Sequence, residues 1–265
     1  MSEQKKVIII GSGLGGLSTG VILAKNGYQV TVLEQGVQMG GCLQCFSRRG
    51  AKFETGMHFI GSAAKGQTLS QMMKYLEIDK EVHLSQLDTT GYDVVALDGK
   101  LYKFPNGREA FIRQMTEYFP QQHDNLERYF DLVEHSLKEV ETDAVVNPEY
   151  QLRSINDVIN EVITDPTLAK VLVGNLPLYA AEKDKTPFAT HAFIMDFYNK
   201  SAFRFRGGSD TVAKALASTI QRYGGEVLTR RKVTRIICDD THAVSVEING
   251  KEQMPCDYII SDAHP

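Results

Sequence analysis

Six residues near the amino end, together with one acid beyond them, carry the clearest chemical signal. Gly11-Ser12-Gly13-Leu14-Gly15-Gly16 fits the spacing G-x-G-x-x-G, with Gly11, Gly13 and Gly16 at the three fingerprint positions. The first glycine allows a tight turn and the second lets backbone N–H groups approach a diphosphate. The third lets helix and strand pack with no Cβ between them. A helix starting here would aim its dipole and its unpaired N–H groups at the anion. Glu34, 18 residues after Gly16, is placed to accept hydrogen bonds from a ribose 2′-hydroxyl, and its charge would repel a 2′-phosphate. These residues leave NAD and FAD both open and argue against NADP.

The flanking elements fit that chemistry. KVIII at residues 6–10 reads as a buried strand. The next segment reads as a helix with Leu14, Leu17, Val21 and Ala24 on its inner face and Gly27 as its stop. YQVTVLE reads as a second strand ending at Glu34, which completes a βαβ unit. Thirteen of the 22 glycines lie within the first 66 residues, so this end is where backbones must turn tightly or approach closely.

Residues 67–200 have a different texture and read as a mainly helical insert. Asp124 with Glu127 resembles a capping box ahead of a face made by Leu126, Tyr129, Phe130, Val133, Leu137 and Val140. Ser154 with Asp157 caps another helix, carrying Ile155, Val158, Ile159 and Val162. Asp165-Pro166 reads as an N-cap followed by proline at the first helical position. VVALDGKLYKF predicts a hairpin turning at Asp98-Gly99. The α/β pattern then resumes, with a Ser209-capped helix burying Val212, Ala215, Leu216 and Ile220 and ending at Gly224-Gly225. A strand follows, then a small antiparallel sheet with an Asn249-Gly250 turn, and finally the strand YIISDA.

Composition sets the outer bounds. The 265 residues are 42% hydrophobic and 23% charged with net charge −4, so no basic field exists for nucleic acid. No apolar run reaches the ~18–20 residues of a membrane helix. The start has neither the apolar length nor the cleavage site of a signal peptide. Four cysteines (Cys42, Cys45, Cys238 and Cys256) suit a reducing cytoplasm rather than a disulfide scaffold.

Three stretches together resemble one flavoprotein family: residues 7–42 through the glycine turn, FETGMHFIG, and FRFRGGSDTVAKALASTIQRYGGEVLTRRKVTRI. The family is that of phytoene desaturases, carotenoid isomerases and retinol saturases, and the last two form the branch most resembled. The resemblance covers roughly residues 1–62 and 203–265 and thins out between them. It implies an α/β fold: a Rossmann-like, FAD-binding domain (GR2-type) at 1–62 and 203–265, with a mainly helical substrate or cap domain at 63–202.

It also implies site residues. Gly11, Ser12, Gly13, Leu14, Gly15 and Gly16 would hold the diphosphate of FAD, and Glu34, with Gln35 beside it, the ribose. Gly40-Gly41 matches the family's second glycine pair. Many members follow that pair with arginine, where this chain has Cys42. Gly56-Met57-His58 matches a stretch that runs beside the flavin, and Val233 matches a residue whose backbone meets the adenine. The implied activity is redox or isomerisation chemistry on carbon–carbon double bonds of a polyene or other lipophilic substrate. The cysteine usage makes a cytoplasmic location the expectation, and peripheral membrane contact that would deliver a lipid is left open. Relatives are about twice as long, so an N-terminal fragment of a longer enzyme, or a truncated gene product without turnover, is also expected.

Plainer readings stand beside these. His58 reads equally as a satisfied structural histidine, and no catalytic base is assigned. Cys42-x-x-Cys45 reads better as a pair of small core residues than as a redox dithiol or metal site. The aromatics at 188–205 (Phe188, Phe193, Phe197, Tyr198 and Phe203) could line a lipophilic channel or simply fill a core. Lys183-Asp184-Lys185 reads as a solvated loop. Competing functions are an amine- or protoporphyrinogen-oxidase-like flavoenzyme and a prenyl-lipid-binding protein of the GDP-dissociation-inhibitor type. An NAD dehydrogenase is a weaker third.

Overall fold

The computed structural model describes residues 4–141 and 149–263. The chain begins with β1 (Lys6–Ile10), α1 (Leu14–Lys25), β2 (Gln29–Leu33), β3 (Cys45–Arg48), β4 (Ala51–Glu54) and β5 (Ile60–Gly61). It continues through α2 (Thr68–Tyr75), β6 (Leu84–Gln86), β7 (Asp93–Leu97), β8 (Lys100–Phe104), α3 (Arg108–Tyr118) and α4 (His123–Glu141). Then come α5 (Glu149–Leu152), α6 (Ile155–Val162), α7 (Pro166–Leu172), α8 (Phe188–Lys200), β9 (Ala202–Phe205) and α9 (Asp210–Arg222). The last strands are β10 (Glu226–Leu228), β11 (Val233–Cys238), β12 (Ala243–Ile248), β13 (Glu252–Pro255) and β14 (Tyr258–Ser261).

These elements form two compact units. The first takes the described residues up to Phe59, then Thr68–Ser85, then the described residues from Arg204 onward. Thr68–Ser85 therefore departs from the expected 63–202 insert: Met73, Ile78 and Val82 are buried in the same apolar cluster as Leu17, Val21 and Leu216. The second unit takes the described residues of Ile60–Gln67 and Gln86–Phe203.

In the first unit a parallel sheet runs in the order β10-β2-β1-β14. Its inner strand β1 is covered on both faces, which explains why KVIII shows no polar alternation. Val7 and Ile9 pack toward α1 and α9, while Ile8 and Leu33 pack against Val246 and Ile248 of the antiparallel sheet β11-β12-β13. On α1, Leu17, Val21 and Ala24 are buried as expected, but Leu14 is 47% exposed because it heads the first turn beside the glycine loop. Gly20 brings α1 close to α9, since a Cβ there would stand 2.8 Å from Ile220 Cδ1.

Ser209 does not cap α9 as the sequence suggests. Its own backbone is helical (φ −66°, ψ −22°) and its side chain bonds Leu43 O instead. The helix start is met by Glu54, whose carboxylate accepts from Ser209 N at 3.1 Å. The same carboxylate accepts from the Ser209 hydroxyl and, at 3.1 Å, from the Cys45 thiol.

The second unit is mainly helical around an aromatic core. Phe104, Phe111, Tyr129, Phe130 and Phe188 are buried, with Phe104 edge-on to Phe111 at 5.0 Å and Phe111 edge-on to Phe130 at 5.4 Å. Ser154 caps α6 through Asp157 N, and Asp165 caps α7 with Pro166 at its first position. β7 and β8 turn at Asp98-Gly99, both at positive φ. The expected Asp124–Glu127 box is not formed, because α4 begins at His123 and already includes Asp124. Leu126, Tyr129, Phe130 and Val133 are buried on α4, Leu137 is half-buried, and Val140 lies outside the described side chains. Of the aromatics at 188–205, Phe188 is core, whereas Phe193 is 54% exposed and stacks on Phe197 at 5.9 Å.

Candidate dinucleotide site

The site is built where parallel strands end. β1 stops at Ile10, and the chain must turn at once into α1. Gly11 makes that turn at φ 102°, a conformation other residues adopt only under strain. A Cβ on Gly16 would stand 2.2 Å from Gly11 O, so the third fingerprint glycine closes the turn from beneath. The second glycine pair is drawn over the first: Gly40 N donates to Ser12 O at 2.9 Å, and a Cβ on Gly41 would stand 3.2 Å from Gly13 Cα. Gly40 holds φ 114°, which its own turn requires.

Glu34 follows β2 at the same end of the sheet. Its Oε2 accepts from Ser12 Oγ at 2.6 Å and Ser12 N at 3.1 Å, and its Oε1 accepts from Gly36 N at 2.7 Å. The carboxylate is thus fixed against the glycine turn. With roughly four lone-pair directions on its two oxygens, it keeps capacity for a ligand hydroxyl.

These groups border one open cleft of about 740 Å³ in the first unit. Of the residues expected at the site, Gly11, Ser12, Gly13, Leu14, Gly15, Glu34, Gln35, Gly40, Gly41, Cys42, Met57 and Val233 line it. Gly16, Gly56 and His58 do not. Gly16 is packed below the turn, and Gly56 backs onto Cys42 O, which a Cβ would meet at 3.3 Å. His58 is exposed and lies outside the lining. The two cysteines also separate, with Cys45 buried and Cys42 exposed at the cleft, which corrects the expectation that both pack the core.

Arg231, Lys232, Asp262 and Ala263 line the cleft without having been expected there. Arg231 pairs with Glu252 at 2.9 Å, and its backbone N donates to Glu34 O. Asp262 follows β14, whose Ser261 lies in register with Ile10, so its arrival over the glycine turn follows from strand pairing. The signal in the sequence was the same for all: each sits at or near the end of a strand reaching the ligand side of a parallel sheet.

A turn stripped of Cβ atoms, an exposed helix start and a fixed carboxylate one strand away suit a dinucleotide, with the backbone facing phosphates and the acid facing a sugar. The fold and this cleft define a dinucleotide-binding α/β protein with a helical second unit. The comparison with known proteins narrows the class. The family described as flavin containing amine oxidoreductase matches residues 14–262, and the chain belongs to it.

Among its relatives, human all-trans-retinol 13,14-reductase is 30% identical, across 98% of this chain and 47% of the reductase. Prolycopene isomerase 2 of an Oncidium hybrid cultivar is 24% identical, across 99% of this chain and 49% of the isomerase. An oxidoreductase from Methanosarcina mazei shares the fold, with TM-score 0.71 at 20% identity, covering 97% of this chain and 58% of the other. The chain spans about half the length of the relatives it matches in sequence.

Proposed function

We propose that this chain holds FAD and serves an oxidoreductase acting on carbon–carbon double bonds of a polyene or other lipophilic substrate. The observation that carries the reading is the convergence of the Gly11–Gly16 turn, the Gly40-Gly41 pair and Glu34 on one cleft. In it the N–H groups at the start of α1 would bind the diphosphate, and Glu34 would accept from the adenosine ribose. Val233 would border the adenine, and Gly40-Gly41 would let the cofactor pass close to the backbone. The flavin would supply hydride exchange with a substrate carbon.

The chain's own residues position that cofactor and keep the turn rigid. Ser12 braces Glu34, and Gly40 N braces Ser12. Within the helical unit, the stacked and partly exposed Phe193 and Phe197 are candidate apolar contacts for a lipophilic substrate. The polyene class is supported by relatives named for retinol and prolycopene. For an amine substrate the support is the family's general description.

An absorption spectrum of the purified protein, followed by identification of the nucleotide released on denaturation, tests the cofactor. A flavin spectrum with released FAD is expected, and a protein that takes up no adenine dinucleotide would overturn the reading. Retinoid, carotenoid and amine, each supplied anaerobically to the flavin-loaded protein, separate the substrate classes by which one changes the flavin spectrum.

A further inference from the structure

Helix α1 has an uncommon start. Its N-cap is Gly13, which offers no side chain, and its first turn carries no acidic residue. Leu17 N is satisfied by Gly13 O, and Gly16 N donates to the carboxylate of Asp262 at 2.8 Å. That carboxylate comes from beyond β14, where Asp262 N continues the ladder by donating to Ile10 O at 2.8 Å. The glycines make room for it, since Cβ atoms on Gly13 and Gly15 would stand 2.9 and 2.6 Å from its oxygens. Among the described residues, the Leu14 and Gly15 N–H groups have no protein acceptor. The glycine loop therefore already contains one anion, fixed on the third amide of the helix, with the first two amides left for another.

We propose that Asp262 sets the affinity of this cleft for phosphorylated ligands. It is a resident negative charge in the turn that receives the diphosphate, and it weakens dinucleotide binding by like-charge repulsion while capping α1. The proposal rests on the dinucleotide reading above and adds a specificity-determining residue to it. Two unit like charges about 4 Å apart oppose each other by a factor of about five in binding, even at the dielectric of water. The effect scales with ligand phosphate charge and vanishes for a ligand without phosphate.

Asp262→Asn separates the two roles, because an amide oxygen can still accept from Gly16 N while the charge is gone. FAD binding is followed by flavin fluorescence, ADP binding by calorimetry and adenosine binding by competition, for wild type, Asp262→Asn and Asp262→Ala, with circular dichroism confirming folding. Asp262→Asn is expected to bind FAD and ADP about fivefold tighter or more, with adenosine unchanged. If FAD binds and Asp262→Asn binds it equally or more weakly, Asp262 is a helix cap only and the proposal falls. An equal gain for adenosine also overturns it, since no phosphate is involved. If neither protein binds FAD, ADP or adenosine, the dinucleotide reading itself fails and takes this inference with it.

Discussion

The Tyr129 hydroxyl lies 2.8 Å from His191 Nε2 inside the helical unit, and Tyr179 meets the other ring nitrogen, Nδ1, at 2.9 Å. His191 is fully buried, and burial holds it at about 4, below its ordinary 6.5. Burial also keeps both tyrosines well above their usual range, so the trio is neutral at pH 7. One ring nitrogen donates to a tyrosine and the other accepts.

This trio predicts acid sensitivity of the helical unit. The unfolded chain takes up a proton near 6.5, while the folded one resists until about 4, so stability falls as pH drops between those values. The full loss amounts to about 3 kcal/mol. Thermal melts at steps from pH 7 to pH 4 check this. His191→Gln is expected to melt lower at pH 7 but with a flatter profile through that window.

Glu34→Gln removes the charge facing the proposed ribose and leaves one acceptor oxygen, enough for Ser12 or for Gly36 but not for both. Hydrogen bonds to a charged acceptor contribute about 1.5–3 kcal/mol, so FAD affinity should drop by at least about tenfold. Flavin fluorescence titration measures it, and the cofactor-free protein should itself lose about 1–3 kcal/mol in denaturant melts, because one backbone donor then faces the amide NH2.

Gly20→Ala puts a methyl 2.8 Å from Ile220 Cδ1. Overpacking of this kind costs about 1–3 kcal/mol, against a helix-propensity gain of roughly 1. Ile220→Val removes the offending carbon. Denaturant melts of both single variants and the double should show the double less destabilised than the sum.

Glu54→Ala leaves Ser209 N, the Ser209 hydroxyl and the Cys45 thiol without their shared acceptor. A loss of about 2–3 kcal/mol is expected, and about 1 for Ser209→Ala, with the two losses non-additive. Urea unfolding of the three variants decides it.

Features readable in the sequence were those decided by neighbours in the chain. Ser154 and Asp165 cap helices three or fewer residues away, and Asp98-Gly99 carries its own turn chemistry. The glycine turn and Glu34 belong to one βαβ unit and were legible together. Ser209 misled because serine ahead of a helix is a strong local signal, yet a carboxylate 155 positions earlier does the capping. Asp262 was hidden for the same reason, lying 246 positions from the amide it caps. His58 is placed beside the flavin by resemblance alone, with no signal from its chain neighbours for or against that role.

The pairing of Val7 with Tyr258 has a consequence for biogenesis. At ribosomal speeds of roughly 5–20 residues per second, some 250 residues take roughly 10–50 seconds to emerge. For that interval β1 lacks one neighbour, and the N–H and C=O groups that β14 will pair stay open along a strand whose Val7–Ile10 side chains are apolar. The helical unit, by contrast, draws on Ile60–Gln67 and Gln86–Phe203, all of which has emerged before β14 is made.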